Sequence, residues 1–273
     1  MFRPRFGSTH EDNYFTRIFK GDALKDAFSR HRTFLFSQLV LRPGMHVLHV
    51  ACGTGTTSLE LAFLSNVHVI GIDGDSAKIY QAQRKAQEDR MTHLVAFIHV
   101  PDITKVDEIF PPFSFDAAFA IEVLNFLPSF SAIYRPLSTI IRPGGSFASY
   151  EWCWTARLNP QDPEHRRLVR SIEDSFPIVR RQPSHRTMEA AASALLENQF
   201  QVIQAEDLAN RKSTATLPWY SDLQSALSER HYFSRWMDTE ERGGLTKQAA
   251  ALLLEAGRHG LFTPMALLVA QRV

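Results

Sequence analysis

From Met45 onward the chain alternates short apolar runs, rich in β-branched and aromatic residues, with longer stretches whose apolar positions recur at helical spacing. Runs of the first kind, bounded by turn residues, predict strands, and stretches of the second kind predict helices. His46–Ala51 is expected as the first strand, Val67–Ile72 as the second, Leu94–Val100 as the third, Phe115–Ile121 as the fourth and Phe147–Trp152 as the fifth. Between them, Thr56 or Thr57 is expected to cap a helix through Phe63, Asp75 or Ser76 a helix to about Glu88, and a third helix spans Ala132–Ile141. The segment Arg142-Pro143-Gly144-Gly145 reads as a tight turn into the fifth strand. Further on, Arg186–Glu197 reads as a helix, Phe200–Glu206 as a strand, about Ser221 to His259 as a helical insert and Thr263–Gln271 as a final strand. Strands alternating with helices in this order are the signature of a mostly parallel, Rossmann-like α/β sheet with helices on both faces. No repeat or low-complexity segment breaks the order, so one domain is expected. Within it, residues 1–40 form an N-terminal helical lid, 41–155 a cofactor-binding core, and 156–273 a substrate cap with the C-terminal strands.

Composition narrows the function. The 273 residues are 44% hydrophobic and carry a formal charge of +1, so a large core is available and no overall field attracts a phosphate backbone or an anionic membrane. Nucleic acid is not expected as a partner. No apolar stretch reaches the roughly 18–20 residues that cross a bilayer, and the opening Met1–Arg5 leads into polar residues, which predicts a cytoplasmic protein without a transmembrane segment. Cys52 and Cys153, each inside an apolar run, offer neither a disulfide framework nor a metal spacing, so no metal is expected. Twenty phenylalanines suggest a greasy ligand, although any single one is more often ordinary core.

Candidate chemistry begins at Cys52-Gly53-Thr54-Gly55, between the first strand and its helix. A Gly-x-Gly turn there aims backbone N–H groups, at a helix N-terminus, into the crevice outside the carboxyl ends of the strands, where nucleotide-type cofactors bind. Asp73, at the end of the second strand, can accept both hydroxyls of a ribose. The positions after Gly55 are Thr56, Thr57 and Ser58, which lack the third glycine of nicotinamide-dinucleotide sites. Asp102 ends the third strand. Glu122 follows the fourth strand, and Tyr150, Glu151 and Trp152 end the fifth. Strand alternation prevents all three of these from facing one pocket.

Beyond single motifs, Phe147–Thr155 with Asn159-Pro160 and Pro163–Arg167 resembles the sterol 24-C-methyltransferase family in wording and spacing. So do Phe19-Lys20-Gly21 with Arg30-His31, Phe115-Asp116-Ala117 with Ala120-Ile121-Glu122, Ala205–Leu208 with Pro218-Trp219-Tyr220, and Gly260–Met265. The resemblance implies a class I methyltransferase fold with a seven-stranded sheet and a helical cap, S-adenosyl-L-methionine (SAM) as cofactor, and C-methylation of an alkene in a large isoprenoid. It places His49, Ala51, Gly53, Thr54, Gly55, Asp73, Asp102 and Ile121 around the cofactor. Tyr14, Phe15, Trp152, Trp154, Trp219 and Tyr220 are expected against the substrate, and Glu122, Tyr150, Glu151 and Phe126 in the chemistry.

The sequence also departs from the family pattern. Where the family's first loop has an acidic residue this chain has His49, and where it has its first glycine this chain has Ala51. Loss of that carboxylate should weaken cofactor binding by about 1–3 kcal/mol. The family's N-terminal aromatic and acidic segment is missing, with Tyr14-Phe15 where His-Phe would stand, and Phe126 replaces a histidine. Retained crevice and eroded methyl-transfer motifs favour a non-methylating cyclase of the methyltransferase-like pericyclase (Diels-Alderase) type, from natural-product biosynthesis, acting on a small hydrophobic polyene, polyketide or isoprenoid. The alternative is SAM-dependent C-methylation of such an alkene. A homodimer is compatible with either.

Overall fold

The structure is a computed structural model that describes residues 15–123, 127–176, 183–211, 214–228 and 246–273. Its centre is a seven-stranded sheet: β1 His46–Val50, β2 His68–Asp73, β3 Val95–His99, β4 Phe115–Ile121, β5 Ile141–Trp154, β6 Phe200–Asp207 and β7 Phe262–Arg272. The strand order is β3-β2-β1-β4-β5-β7-β6, with β1 to β5 parallel and β7 antiparallel to both neighbours. The order reverses between β1 and β4, which opens the crevice at their carboxyl ends. The central β4 is apolar along nearly its whole length because both of its faces are covered.

One face is covered by α1 Leu24–Ser37, α2 Thr56–Ser65, α3 Ser76–Glu88 and α5 Pro163–Ser175, together with Lys247–Arg258. On the other lie α4 Ser131–Ile140 and α6 Met188–Glu197. The short α7 Ser221–Ser228 packs on Lys247–Arg258, here α8. Odd-numbered Val47 and Phe119, with Ile121, Tyr150, Trp152 and Trp154, face the α1 side, whereas Leu48, Val50, Ala118 and Phe147 face α4. Helix α1 is fixed to α2 by a buried ion pair between Arg32 and Glu60, and Ser29 Oγ also donates to Glu60 Oε1 at 2.9 Å. Both charges are removed from water there, so loss of either partner would leave an uncompensated buried ion.

Three expectations change. Helix α2 is not capped by Thr56 or Thr57: its N-cap is Gly55 at φ 84°, with no side-chain cap. The first strand stops at Val50, because Ala51 turns to φ 53°. The fifth strand starts earlier, at Ile141, and Arg142–Gly145 bulges out between the pairs Phe115–Ile141 and Ala117–Ser146. Asp75 does cap α3, accepting from the N–H groups of Ala77 and Lys78. The helical insert is seen as α7 and α8, with residues 229–245 outside the described ones. Among the described residues no helix is long and apolar enough to cross a membrane and no cluster of metal-binding side chains occurs.

Candidate active site

Along the carboxyl ends of the parallel strands, in sheet order, stand Asp102, Asp73, the Ala51–Gly55 loop and Glu122. Gly53 N–H donates to Asp73 Oδ2 at 2.9 Å, and Asp75 N–H donates to Oδ1 at 2.9 Å. Each carboxylate oxygen keeps further lone-pair capacity, so Asp73 is oriented without being exhausted. A Cβ on Gly55 would lie 2.4 Å from Phe97 Cζ and 2.8 Å from Ala82 Cβ, so backbone alone fits between the loop and the sheet. Thr54 and Thr56 accept from Lys85 Nζ at 3.3 and 2.6 Å, tying the loop to α3. Asp102 Oδ1 accepts from the Thr104 hydroxyl and N–H, which hold its carboxyl below the usual range. Next to it, Val100 N–H donates to Asp73 O at 2.9 Å, joining the ends of β2 and β3.

Past the switch point, Glu122 sits buried at φ 57°, its N–H donating to Tyr150 O at 2.7 Å. A non-glycine residue in that region stores on the order of 1 kcal/mol of strain. Its Oε1 accepts from Phe15 N–H at 3.1 Å, so the N-terminal segment is pinned beside the strand end. Phe15 also begins an aromatic cluster. Its ring meets Trp152 edge-on at 5.7 Å and Trp219 at 5.2 Å. Trp152 meets Phe176 at 5.2 Å and Phe262 at 5.7 Å, while Trp154 meets Phe262 at 5.3 Å. Tyr220 packs edge-on against Trp219 at 5.7 Å, and Gly257 of α8 leaves the space both need, since a Cβ there would lie 2.5 Å from Tyr220 Cδ1. The Trp154 indole nitrogen is buried without a hydrogen-bond partner among the described residues.

The methyltransferase-domain profile matches residues 41–212, the segment that carries the loop, Asp73, Asp102 and Glu122. The chain belongs to the methyltransferase family. Within that family its relatives include the sterol 24-C-methyltransferase of Aspergillus fumigatus, 30% identical over 95% of this chain and 74% of the relative. Geranyl diphosphate C-methyltransferase from Streptomyces coelicolor, crystallised with geranyl diphosphate and S-adenosyl-L-homocysteine, has the same fold at a TM-score of 0.74 and 18% identity, over 97% of this chain and 92% of that one. The [4+2]-cyclase SpnF shares the fold at a TM-score of 0.69 and 19% identity, over 96% of this chain and 89% of that one.

The site residues of this methyltransferase-family chain are divided between the crevice, the aromatic cluster and the buried core. Gly53, Thr54, Gly55, Asp73 and Asp102 converge at the crevice, and Phe15, Trp152, Trp154, Trp219 and Tyr220 join the aromatic cluster. Ile121 is buried on the same face, opposite Tyr150. Tyr14 and Phe126 lie outside the described residues.

Three residues are placed differently from expectation. His49 is 1% exposed, stacked on Phe119 at 4.1 Å with Nδ1 2.8 Å from Ser58 Oγ, and burial lowers its pKa to about 3. It is a neutral core histidine held between Ser58 of α2 and Phe119 of β4. The Tyr150 hydroxyl donates to His31 O at 3.0 Å, and burial raises its pKa. That phenol is therefore committed to backbone. Glu151 points to the opposite face from Tyr150, where its charge adds to burial in raising the pKa of Tyr134 and of Cys153. Both cysteines are buried.

Sequence reasoning missed Phe176, Phe262 and His31 as neighbours of the site. Phe262 and His31 both lie inside stretches that carry the family resemblance, which was the available signal. Phe176 follows a helix end and carries no pattern of its own.

Proposed function

We propose that this methyltransferase-family enzyme binds SAM and closes a ring in a small hydrophobic polyene by intramolecular [4+2] cyclisation, without transferring the methyl group. The observation that carries the reading is the fate of position 49. The acid that the resemblance expects is replaced by a neutral histidine sealed against Ser58 and Phe119, while the glycine turn, Asp73 and Asp102 remain in place. A retained cradle with a lost anchor fits a cofactor that is held but not consumed.

Gly53, Gly55, Asp73 and Asp102 would hold SAM, which supplies a positive sulfonium and, where it is consumed, a methyl group. The residues of the chain itself do the rest. The rings of Phe15, Trp152, Trp219 and Phe262 supply the walls that hold the two ends of a polyene together. For a reaction with little acid–base demand, such positioning is the main source of rate. The Trp154 N–H, buried and unpartnered, is the donor available to polarise a conjugated carbonyl. Glu122, bonded to the Phe15 N–H, pins the N-terminal segment against the cluster.

The second reading is C-methylation of an alkene, favoured by 30% identity to a sterol 24-C-methyltransferase over 95% of the chain. Purified protein with methyl-labelled SAM and candidate polyenes separates the two. Cyclised, unlabelled product with no S-adenosyl-L-homocysteine formed supports the cyclase. Product heavier by one methyl, with stoichiometric demethylated cofactor, overturns it.

A further inference from the structure

A cavity of about 140 Å³ lies away from the crevice, between the N-terminal segment, α1 and the turn that follows β6. Its wall combines Arg17, Arg30, Arg211 and His31 with the rings of Phe19 and Phe34. Two of the three guanidinium groups are neutralised: Arg30 pairs with Asp22, and Arg211 with Glu206 at 2.7 Å. Arg17 makes no ion pair among the described residues. Its guanidinium stands 5.5 Å from the Phe19 ring centroid, and that of Arg30 stands 4.6 Å from the same ring. The neighbouring charges of Arg211 and Arg30, after burial, lower the pKa of Arg17, while Glu206 only partly offsets them. The cavity thus holds one positive charge more than the acids around it cancel.

A second observation is independent of that charge. His31 Nε2 is buried with no hydrogen-bond partner, on a residue 5% exposed. Burial, then Arg32, Arg17 and Arg30, lower the pKa of His31 to about 3, so the ring is neutral at working pH and can present Nε2–H as a donor. A buried donor left unmade is costly, and His31 forms part of the cavity wall. The ring also stacks on Tyr150 at 3.9 Å, and neither Tyr150 nor any ring of the aromatic cluster lines the cavity.

We propose that this cavity binds the anionic head of a small amphiphile, a carboxylate or phosphate on a short apolar body, with Arg17 supplying the charge, His31 a hydrogen bond and Phe19 and Phe34 the apolar contact. The shape of the charge fits: a guanidinium fork matches either oxyanion, and the rings leave only a narrow apolar side for the tail. Occupancy would press on the ring that covers Tyr150, so the site is placed to sense a ligand from outside the crevice.

The test is isothermal titration of the full chain with octanoate, octyl phosphate, inorganic phosphate and 1-octanol. Wild type is compared with Arg17→Gln, Arg17→Lys and Arg84→Gln, the last an exposed charge control on α3. Either octyl anion should bind at least about ten-fold more tightly than octanol, and Arg17→Gln should lose about ten-fold, Arg17→Lys, which keeps the charge but not the fork, less than that, and Arg84→Gln nothing. Preference for octanoate assigns a carboxylate ligand and preference for octyl phosphate a phosphate one. Inorganic phosphate should bind more weakly than octyl phosphate because it lacks the tail. Octanol binding as well as both anions, equal losses in Arg17→Gln and Arg84→Gln, or no anion binding below millimolar concentration would overturn the proposal. Should Arg17→Gln melt well below wild type, the Arg17→Lys comparison and the octanol control still decide the outcome.

Discussion

Position 49 gives the sharpest test, because restoring the acid of the sterol 24-C-methyltransferase pattern should harm this chain. In H49D the stack on Phe119 is lost, worth about 1 kcal/mol, as is a neutral hydrogen bond to Ser58, worth about 1 kcal/mol. The introduced carboxyl takes the place of a side chain only 1% exposed, which adds about 2 kcal/mol of desolvation. The sum, about 4 kcal/mol at neutral pH, corresponds to a fall in Tm of about 8 °C for a chain of this size. The deficit should also depend on pH. In wild type the pKa of His49 falls from 6.5 unfolded to about 3 folded, so between those values the unfolded chain binds the extra proton. The contribution is fully present above pH 6.5 and is lost as pH falls, by about 2 kcal/mol between pH 7 and 5. The variant lacks that loss, and its own carboxyl, raised by burial, regains stability on protonation. The gap between the two proteins should therefore shrink by about half at pH 5. Urea titrations at pH 7.5 and 5, with calorimetric SAM binding at the higher pH, read both effects. A variant as stable as wild type that also binds SAM ten-fold more tightly would refute the claim that position 49 is sealed from the crevice.

Other sites give independent outcomes. Trp154→Phe keeps the ring contact with Phe262 but removes the unpartnered N–H, so the cyclisation kcat should fall by about ten-fold or more with little change in KM; unchanged kcat in steady-state assays would remove that residue from the chemistry. Gly55→Ala puts a Cβ 2.4 Å from Phe97 Cζ at φ 84°, which should cost about 3 kcal/mol of stability and abolish SAM binding; a melt within 2 °C of wild type would contradict the close approach. Glu122→Gln keeps an acceptor for Phe15 N–H but loses the charge, so stability should fall by about 1 kcal/mol and cyclisation by less than ten-fold, whereas a loss of about 100-fold or more would mark Glu122 as a working base.

Most of the fold was legible because each strand of the parallel sheet is a short apolar run closed by a turn, and those runs lie within two residues of the observed strands from β1 to β4. What escaped was backbone conformation. The cap of α2 is carried by the φ of Gly55 and not by a hydroxyl, so Thr56 and Thr57 offered a false cap. The length of β5 was hidden because Pro143 and two glycines read as a stop, while the chain bulges there and the pairing with β4 resumes at Ser146. A bulge and a turn draw on the same residues, and only the partner strand distinguishes them.

The site was legible in its chemistry and obscure in its facing. Asp73 and the Gly53–Gly55 turn follow from strand–turn–helix order alone, since the geometry that brings Gly53 N–H to Asp73 is local to two adjacent strand ends. For β5, alternation separates Tyr150 and Trp152 from Glu151, but it cannot say which side holds the site. An inside and an outside are told apart by polarity, and here both faces are buried, so every one of Ser149 to Trp154 is buried whichever way it points. His49 is the same case on β1. It shares a face with Val47, and its neighbour Ser58 arrives from a helix nine residues later, so the sequence allows both a cofactor contact and a neutral core histidine, with the second slightly favoured. Long-range packing decides between them: Phe119 from β4 stacks on the ring, Ser58 meets Nδ1, and the residue is left only 1% exposed.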